Sequence, residues 1–518
     1  MVRILDEIKE ECGIAGGVLK DRTKNIVPYL YKMILNLQNR GQLACGISTY
    51  NKERDFLILT YKELGSVNEI FRIQNPKKTE AIFNEYKGSK GIAHTRYATS
   101  GVARKEDAHP FERVHGRKYK WFSLCFNGNI ANYSELKNNL LDKKNYHMIF
   151  NNDTEILMHN ISRTINVLSK NGESPDPVEI FSTLAKKLDG AYNLGIITAE
   201  GKLIAVRDPL GFRPLCYSID KDKTLFASES VALRQSGVNN IKYLKPGEIL
   251  VNIGKETRIK RYSPSSRIAH CMFEWVYFAN VSSVLDNSSV YMARTNLGKE
   301  MAKREPLDVN KKEYVVIPVP DSSKPFGDSY AYEKGLPSRE GLVRNRYVGR
   351  TFIEGHNRKN KVEEKFTVLK EITKGKKILL MDDSIVRGNT SKKLVKYIKT
   401  KGEAKEVHLR ISCPPILAPC FYGIDMSTIS ELFAPRFFKK VGRNVSKEAM
   451  QEMAKELGAD TLVYQKIESI PKAIGKNRDE LCMACLNGNY PTKWGENLYT
   501  IAKDNHKKGI KQRAYECC

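Results

Sequence analysis

Apolar and polar positions alternate in short runs over the first half of the chain, and each run stops at Gly, Asn or Asp. Residues 12–19, 91–101, 121–130, 191–208 and 224–230 read as strands on this pattern. Two stretches between them carry apolar residues at helical spacing instead. One is 26–41, ending at Gly41; the other is 153–168, opened by an Asp-Thr N-cap signal. Strands in runs with separate helices predict layered sheets of the α+β kind. After about residue 265 the texture changes. Residues 314–320, 376–383 and 406–415 read as short buried strands, and helical patterns follow at 329–335 and 390–400. Strands alternating with helices predict a parallel α/β sheet, with ligands at the carboxyl ends of its strands. The boundary is placed at residues 255–268, and the polar, basic stretch after 488 reads as an appendage.

The chain has 518 residues, 41% hydrophobic and 28% charged, which excludes a disordered, collagenous or disulfide-dense protein. No run reaches the roughly 18 apolar residues a membrane helix needs, and the first eleven residues lack the apolar core of a signal peptide, so a cytoplasmic location is expected. Lys and Arg number 86 against 59 Asp and Glu, a net charge of +27. That excess suits an anionic partner, whether nucleic acid, membrane or phosphorylated metabolite, and suits equally a lysine-rich solvated surface. The basic clusters at 344–350, 358–361, 374–377 and 507–511 carry no RNA-binding aromatic motif and no zinc-finger spacing. Nucleic acid and membrane are therefore not the expected partners.

Eleven cysteines in such a chain point to nucleophiles or metal ligands rather than disulfides. Cys12 follows a short acidic leader and precedes Gly-Ile-Ala-Gly. A thiolate that cleaves an amide needs a base and an oxyanion hole. Removal of residues 1–11 as a propeptide would make Cys12 the first residue. Its own α-amine, titrating near about 7.7–8.0, would then serve as base. Alone, a cysteine at a strand start reads as core packing. It has company: Leu37–Gln42 at a helix end, His94–Thr99 and Phe126–Asn129 at strand ends, and Asp153–Glu155 at a helix start. Arg207–Leu215, Ala227–Ser230 and Pro246–Glu248 add to these.

Together these motifs resemble the glutaminase domain of the N-terminal-nucleophile amidotransferases. The resemblance implies an αββα sandwich over 12–255, with Cys12 attacking the glutamine side-chain amide. It implies Asn127 and Gly128 as oxyanion hole, Arg96 for the substrate carboxylate and Asp153 for its α-ammonium. A zwitterionic substrate does call for one group of each sign. The family has His where Asn39 stands.

Residues 378–391 have a logic of their own. An apolar strand delivers Asp382 and Asp383 to a loop rich in Ser, Gly and Thr that opens a helix. Backbone N–H groups of such a turn cradle phosphate, and the acids suit ribose hydroxyls or a hard cation. The run resembles the phosphoribosyl-pyrophosphate (PRPP) motif of type I phosphoribosyltransferases, with Asn389 in place of Thr, and implies such a domain over 265–475. On this resemblance Thr390 and Ser391 hold the 5-phosphate, Ser384, Arg387 and Gly388 complete the cradle, and Asp382 and Asp383 meet the ribose diol and Mg²⁺. Val319–Ser323 resembles the loop at the pyrophosphate, with Ser323 beside the metal. Residues 346–353 resemble the strand before the loop that closes over PRPP. Past it, 354–366 carries Glu363 and Glu364 where the family is basic.

Cys482 and Cys485 form a CxxC that could be half of a zinc site, half of an iron–sulfur site or a redox pair. With Cys271 and Cys420 in their surroundings, they resemble the ligands of a [4Fe–4S] cluster in the propeptide-bearing branch of the glutamine PRPP amidotransferases. The resemblance places the CxxC in a C-terminal tail, 476–518. It implies 5-phosphoribosylamine synthesis for purine nucleotides, an internal ammonia channel near Tyr277, inhibition by purine nucleotides and a homotetramer or homodimer. The competing readings are a paralogue aminating another phosphosugar, and a regulator on a degenerate phosphoribosyltransferase scaffold.

Overall fold

The computed structural model describes residues 12–96, 104–144, 146–150, 152–170, 172–265, 267–345, 365–437 and 445–516. The leader 1–11, Tyr97–Thr99 and most of the stretch 346–366 lie outside the described residues.

Two antiparallel sheets face each other in the first half. One has seven strands, in the order 242–243, Cys216–Ile219, Lys223–Ala227, Gly13–Leu19, Lys90–Arg96, Ala44–Tyr50 and Ile58–Leu64. The other has six: Glu256–Arg261, Glu248–Ile253, Leu203–Arg207, Gly190–Thr198, Phe122–Ile130 and Phe111–Arg113. Both sheets carry apolar residues on two faces, since each is sandwiched between its partner and a helical layer. Ile14, Ile92, Cys125, Leu203, Ala205 and Phe226 fill the space between the sheets. Leu30, Met33 and Ile34 of the helix Val27–Leu35 cover one outer face. Ile156, Leu157 and Ile161 of the helix Asp153–Leu168 cover the other.

The helix Asp153–Leu168 has the expected span, but its cap is Asn152, whose side chain accepts the Glu155 N–H at 2.9 Å. The helix after Ile26 stops at Leu35 rather than Gly41, so Leu37–Gln42 is a turn that can reach the domain boundary. The first domain also extends past 255. Residues 256–261 form a hairpin partner of Glu248–Ile253 in full register, although their charged side chains give them the composition of a linker.

The second half holds a four-stranded parallel sheet, Tyr314–Pro318, Lys377–Asp382, Glu406–Ile411 and Thr461–Tyr464, in that order. Its first three strands are buried almost throughout, as both faces are covered by helices such as Val290–Ala302, Lys324–Lys334 and Asn389–Thr400. The stretch after 488 is a packed element rather than an appendage. Its helix Lys493–Lys507 buries Leu498 and Ala502 in a cluster with Phe212, Phe421 and Tyr490. Basic residues occupy the solvent side and hide this apolar stripe from a reading by composition.

Candidate active sites

The first site is a cavity of about 230 Å³ whose lining includes Cys12, Arg96, Asp107, His109, Gly128 and Asp153. Cys12 precedes the central strand Gly13–Leu19, and Arg96 ends the neighbouring strand, where Gly13 pairs with Thr95. Asn127 and Gly128 lie in the facing sheet. Four of the five residues expected here therefore line one cavity, and the fifth, Asn127, is next to it in sequence and 2% exposed. Two donors of this site lack acceptors among the described residues: Asn127 Nδ2 and Arg96 Nη1. A buried donor without a partner costs free energy, and a ligand that accepts from it recovers that cost.

Asp153 has the opposite charge. Burial pushes its carboxyl up to about 6, against the pull of backbone N–H groups and of Arg96. His94 and His109 stack at 4.2 Å between ring centroids. Burial holds both rings neutral, His94 down to about 3. A neutral ring facing a carbonyl carries its proton there, so His94 Nε2 donates to Phe126 O at 3.0 Å and ties down the residue before Asn127.

The far wall of this cavity comes from the second half of the chain: Cys420, Gly423, Asp425, Ser427, Arg513 and Tyr515. No local sequence pattern announces this. Arg513 Nη2 donates to Asp425 Oδ1 at 3.1 Å and Nη1 to the Tyr515 hydroxyl at 2.7 Å.

The second site is a cavity of about 370 Å³ at the carboxyl ends of the parallel strands. Asp382, Asp383, Ser384, Arg387, Gly388, Thr390 and Ser391 all line it. Gly388, at φ +83°, turns the chain into the helix Asn389–Thr400, and a side chain there would meet Phe433 at 2.7 Å. The helix thus presents Thr390 and Ser391 in its first turn, where N–H groups are unpaired by the helix itself. Burial raises both carboxyls, and the neighbouring Asp383 charge raises Asp382 further. Ser322 Oγ donates to Asp383 Oδ2 at 2.6 Å and Ser384 Oγ to Asp383 Oδ1 at 2.8 Å. Of the neighbours Ser322 and Ser323, Ser322 lines the cavity; Ser323 is buried beside Asp382 at the start of the helix Lys324–Lys334. Arg387 lines the cavity too, with its guanidinium held by Glu431 and by Asp425 O at 3.1 Å.

Arg294 is a cavity residue that no motif announces. It projects from the helix Val290–Ala302 and is 3% exposed. Its guanidinium donates to the carbonyls of Trp275 (3.0 Å), Tyr277 (2.8 Å) and Ala279 (2.9 Å), and at 3.4 Å to Ser322 O. One cation so fixes the wall 275–279 and the loop beside Asp383.

Buried ion pairs join the two sites. Asn39 and Gln42 line the second cavity. Asn39 Nδ2 donates to Glu229 Oε1 at 2.8 Å and Phe278 O at 3.1 Å. Arg40 bonds Glu229 and Glu274, Glu274 takes Arg213 at 3.4 Å, and Arg213 Nη2 reaches Tyr422 O at 2.6 Å. Gly423, next along, lines the first cavity.

Cys271 and Cys482 are register partners in a short parallel pair, His270–Cys271 with Leu481–Cys482. Leu417 and Ala418 N–H groups bond Cys485 O at 2.8 and 3.0 Å, which brings the Cys420 segment alongside. Burial raises the Cys485 thiol, and Cys413, Cys420, Cys271 and Cys482 raise it further. Cys482 is pushed up to about 12. The four thiols are neighbours, but among the described residues no group of three or more Cys, His, Asp or Glu is arranged as a metal site. As a donor set, four adjacent sulfurs fit a thiolate-bound metal centre, and the twin carboxylates fit a hard cation.

Residues 94–235 match the family model described as a glutamine amidotransferase domain. The chain is 38% identical over 490 residues to a relative from Methanothermobacter thermautotrophicus named amidophosphoribosyltransferase, covering 94% of this chain and 95% of the relative. A relative of the same name from Methanocaldococcus jannaschii is 37% identical over 499 residues, covering 93% and 98%. The fold superimposes on the glutamine PRPP amidotransferase of Bacillus subtilis, solved with ADP and GMP, with a TM-score of 0.78 at 32% identity, covering 93% of this chain and 98% of that one. Similarity of this extent through both halves joins the glutaminase-type cavity and the PRPP-type cavity in one protein, and the chain belongs to the amidophosphoribosyltransferases.

Proposed function

We propose that the enzyme makes 5-phosphoribosylamine, glutamate and pyrophosphate from glutamine, water and PRPP, with hydrolysis in the Cys12 cavity and amination in the Asp382–Asp383 cavity. This is the opening step of purine nucleotide synthesis. The observation that carries the assignment is the first cavity's set: a cysteine, a buried amide with an unused N–H, and one cation and one anion to hold a zwitterion.

Arg96 takes the glutamine α-carboxylate and Asp153, ionised, its α-ammonium. Cys12, freed as chain terminus, gives its thiol proton to its own α-amine and attacks the side-chain carbonyl. Asn127 and Gly128 stabilise the oxyanion. Ammonia leaves, and water hydrolyses the thioester to glutamate. In the second cavity Thr390, Ser391 and the backbone after Gly388 hold the 5-phosphate, and Asp382 and Asp383 orient the ribose. Ammonia, reaching the cavity past Tyr277, displaces pyrophosphate at the anomeric carbon. Asp382, Asp383 and the Ser322–Ser323 loop would hold Mg²⁺, which when bound neutralises the leaving pyrophosphate. Cys271, Cys420, Cys482 and Cys485 would hold a [4Fe–4S] cluster as a structural tie between the second domain and the tail.

Purine nucleotides as inhibitors, a homotetramer or homodimer and a cytoplasmic site of action belong to the same reading. The Cys12→Ala variant should lose glutamine-dependent pyrophosphate release and keep the ammonia-dependent reaction; loss of both would refute the division of labour. The mass of the mature N-terminus tests whether Cys12 is terminal.

A further inference from the structure

The segment Phe421–Gly423 belongs by sequence to the second half of the chain, yet it lies on the strand that carries Asn127 and Gly128. Asn129 Nδ2 donates to Phe421 O at 2.9 Å. Phe212 stacks on Tyr422 with ring centroids 4.1 Å apart. Arg213, 1% exposed, donates to Tyr422 O at 2.6 Å, and its other nitrogen faces Glu274 at 3.4 Å. Gly423, the next residue, packs against both Arg213 and Gly128. A Cβ at Gly423, at φ +112°, would stand 2.9 Å from Arg213 Nη2 and 3.3 Å from the carbonyl carbon of Gly128. Gly128 is also closed in from its own sheet, since a Cβ there would meet Ala191 O at 2.0 Å. So Gly128 is held between the strand Gly190–Thr198 and a glycine from the other domain, which meets it at its carbonyl, one bond from the Cα that carries the N–H donor, with a buried guanidinium fixing that glycine's position.

We infer that the backbone of Phe421–Gly423 braces the oxyanion hole of the glutamine site from behind, and that Arg213 is the positioning residue that holds it against Gly128. Oxyanion donors work only when preorganised, and displacements of the order of 1 Å cost about 100-fold in rate. Arg213 touches no substrate atom. Its effect passes through Tyr422 O and Gly423 to the Gly128 peptide, so it should affect the tetrahedral state and not the ground state. The inference rests on the reading of Asn127 and Gly128 as oxyanion donors.

The test compares two ligands in the full-length enzyme. Glutamate γ-semialdehyde accepts the Cys12 S–H across its C=O: the S–C bond forms, the carbonyl π bond breaks and the proton passes to the oxygen, with no leaving group. That adduct places an oxygen in the hole. Glutamate binds through the same α-groups without forming it. Arg213→Met and Gly423→Ala are expected to weaken semialdehyde binding at least tenfold and to lower kcat for glutamine hydrolysis about 100-fold. Glutamate affinity and KM for glutamine should stay within about twofold, and Arg213→Lys should recover part of the loss. Ammonia-dependent synthesis reports that each variant is folded; Gly423→Ala removes no buried charge and carries the test where Arg213→Met does not fold. Equal weakening of both ligands, or no weakening of either, would overturn the inference. Asn127→Ala separates it from its premise: if that variant keeps full semialdehyde affinity, the oxyanion reading itself is wrong.

Discussion

Arg40 and Glu274 meet across the domain boundary through two bonds, Nη2 to Oε2 at 2.5 Å and Nη1 to Oε1 at 3.2 Å, with both side chains at most 1% exposed. Arg40 also bonds Glu229 at 2.6 Å, so two carboxylates share two cations, Arg40 between them and Arg213 on Glu274 at 3.4 Å. A buried charge is tolerable only while paired, and removing one partner leaves the other stranded. Glu274→Gln should therefore lower stability by about 3 kcal/mol, read as a fall in the denaturation midpoint. A midpoint within experimental error of the parent would show that the pair is not what holds the domains together.

Asp153 gives the glutamine reaction a pH limb. Burial raises its carboxyl to about 6 in the free enzyme. The carboxylate holds the α-ammonium, so binding is complete above this value and is lost as pH falls through it. kcat/KM for glutamine should drop below pH about 6, a value that reports the free enzyme. The Asp153→Asn variant should show a raised KM and no such limb. A limb that persists in the variant would place the titration elsewhere.

Arg294 should set the affinity for PRPP. Its bonds to Trp275, Tyr277, Ala279 and Ser322 carbonyls brace two walls of that cavity. Arg294→Met leaves these carbonyls unsatisfied, and KM for PRPP in the ammonia-dependent assay should rise by about tenfold, the equivalent of about 1.4 kcal/mol and of one net hydrogen bond. Arg294→Lys, which keeps the charge with fewer directed donors, should fall between. An unchanged KM would reduce Arg294 to a packing role.

The four-cysteine neighbourhood is open to direct assay. Protein purified without oxygen should be brown, with about four irons per chain. Cys482→Ser should lose the colour and loosen the tail helix, seen as faster proteolysis within Lys493–Lys507. Colourless protein with stoichiometric zinc would replace the iron–sulfur assignment by an all-thiolate zinc site.

Much of this is legible from residues alone. The strand Lys377–Asp382 and its loop are readable because a short apolar run followed by two acids and a Gly/Ser/Thr turn is a local pattern. Cys12, Arg96, Gly128 and Asp153 are readable as family motifs at strand and helix ends, and they line one cavity. What escapes is non-local. Nothing in the sequence around Gly423 or Arg513 shows that these positions wall a cavity built by residues hundreds of positions earlier. Arg294 looks like any solvent-facing arginine until the helix is docked. The strand Glu256–Arg261 reads as linker because its outward face is charged, as an edge strand's often is.

The pairing of His270–Cys271 with Leu481–Cys482 has a consequence for how the enzyme comes into being. During translation the amino-terminal domain emerges from the ribosome long before its far wall exists. Gly423, Arg513 and the cysteine partners arrive only with the last portion of the polypeptide. A nascent or prematurely terminated product therefore has a hydrolytic pocket that stands open on the side where Gly423 and Arg513 later close it.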